Sequence, residues 1–173
     1  MKRGFSILVM VLLVAVINLS GQTARKYIKA GDEFVRSGMF EDAIDQFSRA
    51  IDEAPSSADG YVKRAMAYEL TGDYGLACDD YRRAGNFKPD DTGILYNLAR
   101  MCNRLGAEEK ATPDERDRFY SEAVALLQKA ISAEYRNGKL YTEKVVSLIG
   151  MGLWDQALGA SDTALQMLSL IHI

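Results

Sequence analysis

A single pattern of alanine, aromatic and glycine residues returns every 34 residues from Tyr27 to the end of this chain. Gly38, Gly72 and Gly106 keep that spacing, and so do Phe34, Tyr68 and Cys102. Ala43, Phe47, Ala50 and Pro55 are followed 34 residues later by Ala77, Tyr81, Ala84 and Pro89. Ala123 and Ala130 return as Ala157 and Ala164, while Ala77 to Ala123 is 46, the period plus an insertion of 12. A repeat of this length is the mark of stacked helical hairpins, none of which can bury its apolar face alone. It predicts an extended surface that binds rather than a pocket that reacts.

The residue types explain why the unit is a hairpin. Small residues such as Ala65, Ala77 and Ala84 let two helices approach closely, and Tyr61, Tyr68, Tyr74 and Tyr81 fill the remaining space. Tyr61, Ala65, Tyr68 and then Ala77, Tyr81, Ala84 return at helical spacing. The glycines at 38, 72 and 106 end each first helix, where a left-handed residue is cheapest, and Pro55 and Pro89 stop the second helices. No stretch after residue 24 alternates with period two for long enough to suggest a strand.

These residues resemble the tetratricopeptide repeat. With position 1 at Ala24, the first repeat reads Tyr27, Gly31, Phe34, Gly38, Phe40, Ala43, Phe47, Ala50, Pro55, and the second reads Tyr61, Ala65, Tyr68, Gly72, Tyr74, Ala77, Tyr81, Ala84, Pro89. The third gives Leu95, Leu98, Ala99, Cys102, Gly106 and, beyond the insertion, Tyr120, Ala123, Leu127, Ala130. The fourth gives Tyr141, Val145, Leu148, Gly152, Trp154, Ala157, Ser161, Ala164. The resemblance implies an all-α chain, an α-solenoid of about four antiparallel helical hairpins wound as a right-handed superhelix. The repeats cover 24–57, 58–91, 92–137 (with the insertion at 107–118) and 138–167.

Departures locate weak points. Val145 stands where the family has a small residue, and Arg64 and Lys144 stand where it has leucine. Gly85 replaces a usual leucine, which weakens its helix by roughly 1 kcal/mol relative to alanine. Gly150, Gly152 and Gly159 crowd the fourth repeat, which is expected to be the least stable hairpin.

Residues 1–21 read as a secretory signal peptide. Lys2 and Arg3 precede an apolar run from Phe5 to Ile17 broken only by Ser6, and Asn18, Ser20 and Gly21 follow. The run is short for a spanning helix, which needs about 20 apolar residues; an uncleaved anchor is the other reading. Cleavage falls after Gly21 or after Ala24. The mature chain is then exported, to a bacterial periplasm or cell surface, with no stable membrane span. Taking Lys2 and Arg3 from the 21 basic residues leaves 19 against 24 acidic, a net charge of −5. That balance argues against a nucleic-acid partner, which requires a basic face.

The last six residues, 168–173, read Leu-Ser-Leu-Ile-His-Ile. They resemble the translated transposase end of a sequencing-library adaptor, in which case the native chain continues after about Met167. Alternatively they form the apolar end of the last helix. Repeat arrays usually finish on a polar capping helix, and none is legible here.

Catalytic constellations are not evident, and the chain reads as non-enzymatic without a cofactor or a metal site. The one histidine, His172, lies in the suspect tail, so no histidine triad or metal site is credible. Cys78 and Cys102 fall at core-facing positions as two buried thiols, or as a pair in an oxidising compartment. The glycines are repeat punctuation, and Asp79-Asp80 and Asp90-Asp91 read as solvated faces. In the insertion, Thr112 caps a helix, Pro113 suits its first position and Glu115 completes a capping box. A helix of about 113 to 133 follows, roughly 30 Å long. It is a charged overhang or a docking element.

In the family the concave groove is lined by the first helices. That places Ile28, Lys29, Asp32, Val35 and Arg36, then Val62, Lys63, Met66 and Glu69, then Tyr96, Asn97, Arg100, Asn103 and Arg104, then Thr142, Glu143, Val146 and Ile149 along it. Apolar residues beside basic ones suit an extended or helical peptide. Ile28 and Asp32 stand where the family's carboxylate clamp for chaperone tails needs Lys and Asn, so that activity is not supported, although Asn97 matches a clamp-type residue. The groove set singled out is Met66, Tyr96, Asn97, Arg100, Arg104 and Val146. Tyr96, Arg100 and Arg104 are spaced by four on one face. The expected function is a scaffold binding a protein or peptide. The alternative is the amino-terminal adaptor of a larger envelope protein whose further domain binds peptidoglycan or carries an enzyme.

Overall fold

The computed structural model describes the backbone of residues 2–169 and the side chains of residues 19–167 and Ser169. It is all helix: α1 (Lys2–Arg36), α2 (Phe40–Glu53), α3 (Ala58–Thr71), α4 (Tyr74–Phe87), α5 (Thr92–Gly106), α6 (Pro113–Ala133), α7 (Gly138–Gly150) and α8 (Trp154–Ser169). Among the described residues there is no strand. Successive helices pair as the hairpins α1/α2, α3/α4, α5/α6 and α7/α8. Each hairpin docks its second helix on the first helix of the next, and α1 also touches α3 and α5 touches α7. The result is an α-solenoid whose first helices line one face.

The segment read as a signal runs as helical backbone from Lys2 straight into α1. Met1, and the side chains of the apolar run from Phe5 to Ile17, lie outside the described residues. Among the described residues no helix is long and apolar enough to cross a membrane. Residues 170–173 of the tail, including His172, also lie outside the described residues.

Close helix approach rests on the alanines. Ala43, Ala65, Ala77, Ala99 and Ala123 are wholly buried, and Phe47, Tyr81 and Leu127 fill the gaps between them. Burial of each such large side chain contributes about 1.5–3 kcal/mol. Helix ends follow local chemistry. Ser57 and Asp91 cap α3 and α5 by accepting from Asp59 N and Ile94 N. Thr112 and Glu115 form a reciprocal capping box at the start of α6, with Pro113 as its first residue. The second helices end in one shared geometry: the N–H of Ala54, Lys88 and Glu134 each returns to the carbonyl four residues back.

Three turns use glycine at positive φ, namely Gly38, Gly72 and Gly152. Gly106 departs from expectation. It is the last residue of α5 but not in a left-handed turn; the cap is Ala107 in right-handed geometry. The insertion removes the need for a tight turn there. Gly106 instead makes room for the Tyr120 ring, which a Cβ would meet at 3.0 Å. Gly150 clears the same ring, to which a Cβ would stand at 2.4 Å. One aromatic of the third hairpin is therefore accommodated by two glycines, one from its own hairpin and one from the next.

Basic residues in place of the family's leucine are also answered. Arg64 grips Asp80 with two bonds, Nε to Oδ2 at 2.7 Å and Nη2 to Oδ1 at 2.9 Å, and donates from Nη1 to Ser48 at 2.9 Å. Lys144 donates to Gln128 at 2.6 Å. Ser48 and Gln128 each lie 16 residues before the cation they receive, on the preceding hairpin, whereas Asp80 holds Arg64 from within its own hairpin.

Candidate functional site

The first helices of the first three hairpins enclose a cavity of about 270 Å³. Val35, Met66 and Leu70 give it apolar walls, and Phe47 and Tyr81 reach into it from the second helices. Met66 and Leu70 are 47% and 53% exposed, so large apolar side chains face solvent at its mouth. Exposed apolar surface gathered in a concavity marks a place where another chain can bury it.

Two ion pairs cross this surface in register. Lys63 bonds Asp32 at 2.8 Å, and Arg100 bonds Glu69. Each cation lies 31 residues after its acid, one turn short of the repeat, so the pairs join successive first helices. The outer pair is about one-third exposed on both sides, and an ion pair so open to water contributes little, about 0–1 kcal/mol. The inner pair is more enclosed. Its Glu69 also accepts the Tyr81 hydroxyl at 2.6 Å. Burial, reinforced by Glu69, holds the Tyr81 phenol well above the usual tyrosine range. Arg100 rests over the Tyr96 ring at 5.8 Å, within the range of a cation–π contact.

The six groove residues expected from the sequence fall into two sets. Met66, Asn97 and Arg100 line the cavity together. Tyr96 is half-buried, packed against the core beneath Arg100. Arg104 is exposed and lies over the Tyr74 ring at 5.6 Å, at the tip of the preceding hairpin. Val146 is 45% exposed on α7, outside the cavity lining. The broader groove assignment needs one correction, at Asn103. It is buried, donating to Glu143 O and Oε2 and accepting from Ser147 Oγ at 2.8 Å. It fastens α5 to α7 rather than facing a ligand, because an amide removed from water must find internal partners.

Sequence reasoning missed Leu70, Phe47 and Tyr81 as parts of this cavity. Leu70 was recoverable, since it follows Met66 by four on α3. Phe47 and Tyr81 occupy the same place in consecutive second helices and were read only as core.

On the opposite face, a cleft of about 660 Å³ separates α4 from the early turns of α6. Cys78 and Arg82 line it, with Phe119 and Glu122 on the far wall. Cys78 and Cys102 are both free and buried. Among the described residues no cluster of His, Cys, Asp and Glu is arranged to hold a metal ion.

Residues 28–91 match the tetratricopeptide repeat family model. The chain is similar to a photosystem I assembly protein, Ycf3, of Prochlorococcus marinus strain MIT 9313. They are 26% identical over 139 residues, covering 78% of this chain and 80% of that one. A shorter match, 41% identical over 61 residues, joins 35% of the chain to 34% of a tetratricopeptide repeat protein 36 homolog of Nematostella vectensis. Among solved structures, MamA superposes with a TM-score of 0.74 at 19% identity, covering 86% of this chain and 80% of that one. A MamA fragment from Desulfovibrio magneticus RS-1 gives 0.74 at 15%, over 85% and 76%. These structures share the fold of this chain. The match over residues 28–91 places tetratricopeptide repeats in the first two hairpins.

Proposed function

We propose that this chain is an exported, non-enzymatic scaffold that holds a protein or peptide partner in its concave groove. The observation that carries the reading is the cavity beneath Met66 and Leu70, rimmed by the Lys63–Asp32 and Arg100–Glu69 pairs. Its size suits one or two apolar side chains. Because its cations already have carboxylate partners, the preferred ligand presents an apolar anchor first and polar groups second. Arg100 is the exchangeable contact: a ligand carboxylate takes the guanidinium while Glu69 keeps the Tyr81 hydroxyl. Tyr96, Arg104 and Val146 extend the contact along α5 and onto α7. The relatives named for photosystem assembly support a role in holding other proteins, without carrying their cargo over to this chain. The apolar run after Lys2 and Arg3 supports export.

The test begins with peptides selected on the folded protein from a random displayed library. Affinity is then measured for wild type and for Met66→Glu and Arg100→Ala, with Leu158→Glu on α8 as the control surface. A centrally placed anchor is worth at least about 2 kcal/mol, so Met66→Glu is expected to lower affinity at least tenfold while Leu158→Glu leaves it unchanged. Equal affinity of all variants with intact helicity would remove the groove as the site. Export is tested separately, by whether residues 1–24 carry a reporter enzyme across the inner membrane of a bacterium.

A further inference from the structure

The cleft beside the insertion holds an arrangement that the groove does not use. Cys78 on α4 and Cys102 on α5 belong to one buried core cluster, and each thiol is the strongest neighbouring influence on the other. Arg82, one turn on from Cys78, donates from Nη2 to its Sγ at 3.5 Å. The same guanidinium is held by Glu122 of α6 at 3.0 Å and by Asp79 at 3.2 Å. Cys78 lines the cleft, whereas Cys102 does not. The contact with Cys102, and then Arg82, brings the Cys78 thiol below its usual range despite burial. The same contact and burial push Cys102 above it. The two sulfurs are thus unlike: Cys78 lines the cleft beside Arg82, and Cys102 does not.

We propose that Cys78 and Cys102 are a peroxide-oxidised pair: a hydroperoxide entering the cleft between α4 and α6 oxidises Cys78, and Cys102 converts the product to a disulfide joining the second hairpin to the third. The Cys78 thiolate attacks one peroxide oxygen and the O–O bond breaks. With hydrogen peroxide as oxidant, hydroxide leaves and takes up a proton as water. Cys78 is then a sulfenic acid. The Cys102 sulfur attacks that sulfur, its own proton joins the departing hydroxyl, and a second water leaves as the S–S bond forms. The two thiols lose two electrons and two protons, and the peroxide is reduced to two waters. Arg82 positions the anionic sulfur, since a guanidinium beside a thiol favours the thiolate. Cys78 is only 2% exposed, so the cleft admits a small oxidant and keeps a macromolecular disulfide donor away.

Arg118, the last residue of the insertion, lines the same cleft beside Phe119 and Glu122.

The experiment treats the folded chain with hydrogen peroxide, then unfolds it in iodoacetamide and determines intact mass and peptide map. Wild type is expected to lose both alkylation sites, to be lighter than the reduced chain by two hydrogens, and to yield a Cys78–Cys102 cross-linked peptide that dithiothreitol releases. Cys102→Ser should stop at a sulfenic acid on Cys78, trapped by dimedone. Cys78→Ser should leave Cys102 fully alkylated. Two alkylated thiols in wild type, at a peroxide excess that oxidises free cysteine, would overturn the proposal. So would a disulfide between two molecules, or dimedone capture at Cys102. The wild-type arm needs no variant to fold, and so decides the matter alone.

Discussion

In the second hairpin, α3 and α4 enclose Ala65, Ala77 and Tyr81 completely, with a hairpin packed on either side. In the fourth, α7 rests on α5 and α6, but no described helix lies beyond α8. There Trp154, Leu158 and Leu165 are 65%, 64% and 62% exposed. The second helices of the two hairpins carry alanines at the same spacing, Ala77 and Ala84 against Ala157 and Ala164, while Val145 takes the place of Ala65 on the first helix of the fourth. Ala157 and Ala164 are buried almost as well as Ala77 and Ala84, so the pattern fixes the inner seam of a hairpin wherever it occurs. What a neighbour adds is the outer side. Interior burial is therefore a property of the array, as expected for a quasi-one-dimensional architecture.

The largest expected difference lies in the polar residues. Asp80→Ala removes the carboxylate that receives Arg64 inside the second hairpin, where Asp80 is 5% and Arg64 19% exposed. A stranded, mostly buried guanidinium costs about 3 kcal/mol. Lys144→Ala, the counterpart at the fourth hairpin, removes an exposed bond to Gln128 and costs under about 1 kcal/mol. Urea midpoints of the two variants measure the gap, and equal losses would break the comparison.

Next comes overpacking. Ala77→Leu should cost about 1–3 kcal/mol, because neighbours on both sides prevent α4 from moving away. Ala157→Leu should cost less, since α8 has room to shift. An unchanged midpoint for Ala77→Leu would show that the assumed seam is not close-packed.

A third test uses pH. The neutral Tyr81 phenol is favoured in the folded state by burial and by Glu69, and its value is raised. Its contribution is fully present below the unfolded phenol value of about 10 and is lost as pH rises beyond that. Tyr81→Phe, which removes a bond to a carboxylate, should therefore cost about 1.5 kcal/mol near neutrality. The variant should then close the gap to wild type above about pH 10. A constant gap across that range would contradict the assignment of Tyr81. The smallest effect is expected at Leu165→Gln, on the open side of α8, where stability should change by no more than about 0.5 kcal/mol.

Much of the fold was legible because a helical hairpin repeats a local rule. Ala77 announces Tyr81 and Ala84, and Thr112-Pro113 announces α6. Less was legible where a side chain crosses between hairpins. Gly106 reads as turn punctuation like Gly38 and Gly72, yet it serves the Tyr120 ring, which the insertion displaced by a dozen positions. Asn103 reads as a groove residue by its place on α5, yet Ser147 and Glu143, some forty residues on, draw it inside. The site shows the same division. Met66, Asn97 and Arg100 were reachable by spacing along first helices. The contribution of Phe47 and Tyr81 was not, since it depends on how far a second helix leans between two first helices.

The central claim is that the partner lies across the first helices of hairpins one to three. Hydrogen exchange of the folded chain, alone and with a library-selected peptide bound, tests it most directly. The free chain is expected to protect α3 and α4 more than α7 and α8. The bound chain should gain protection in α3 around Met66 and in α5 around Arg100, with α4 and α6 unchanged. New protection confined to α4, α6 or the exposed side of α8 would contradict it.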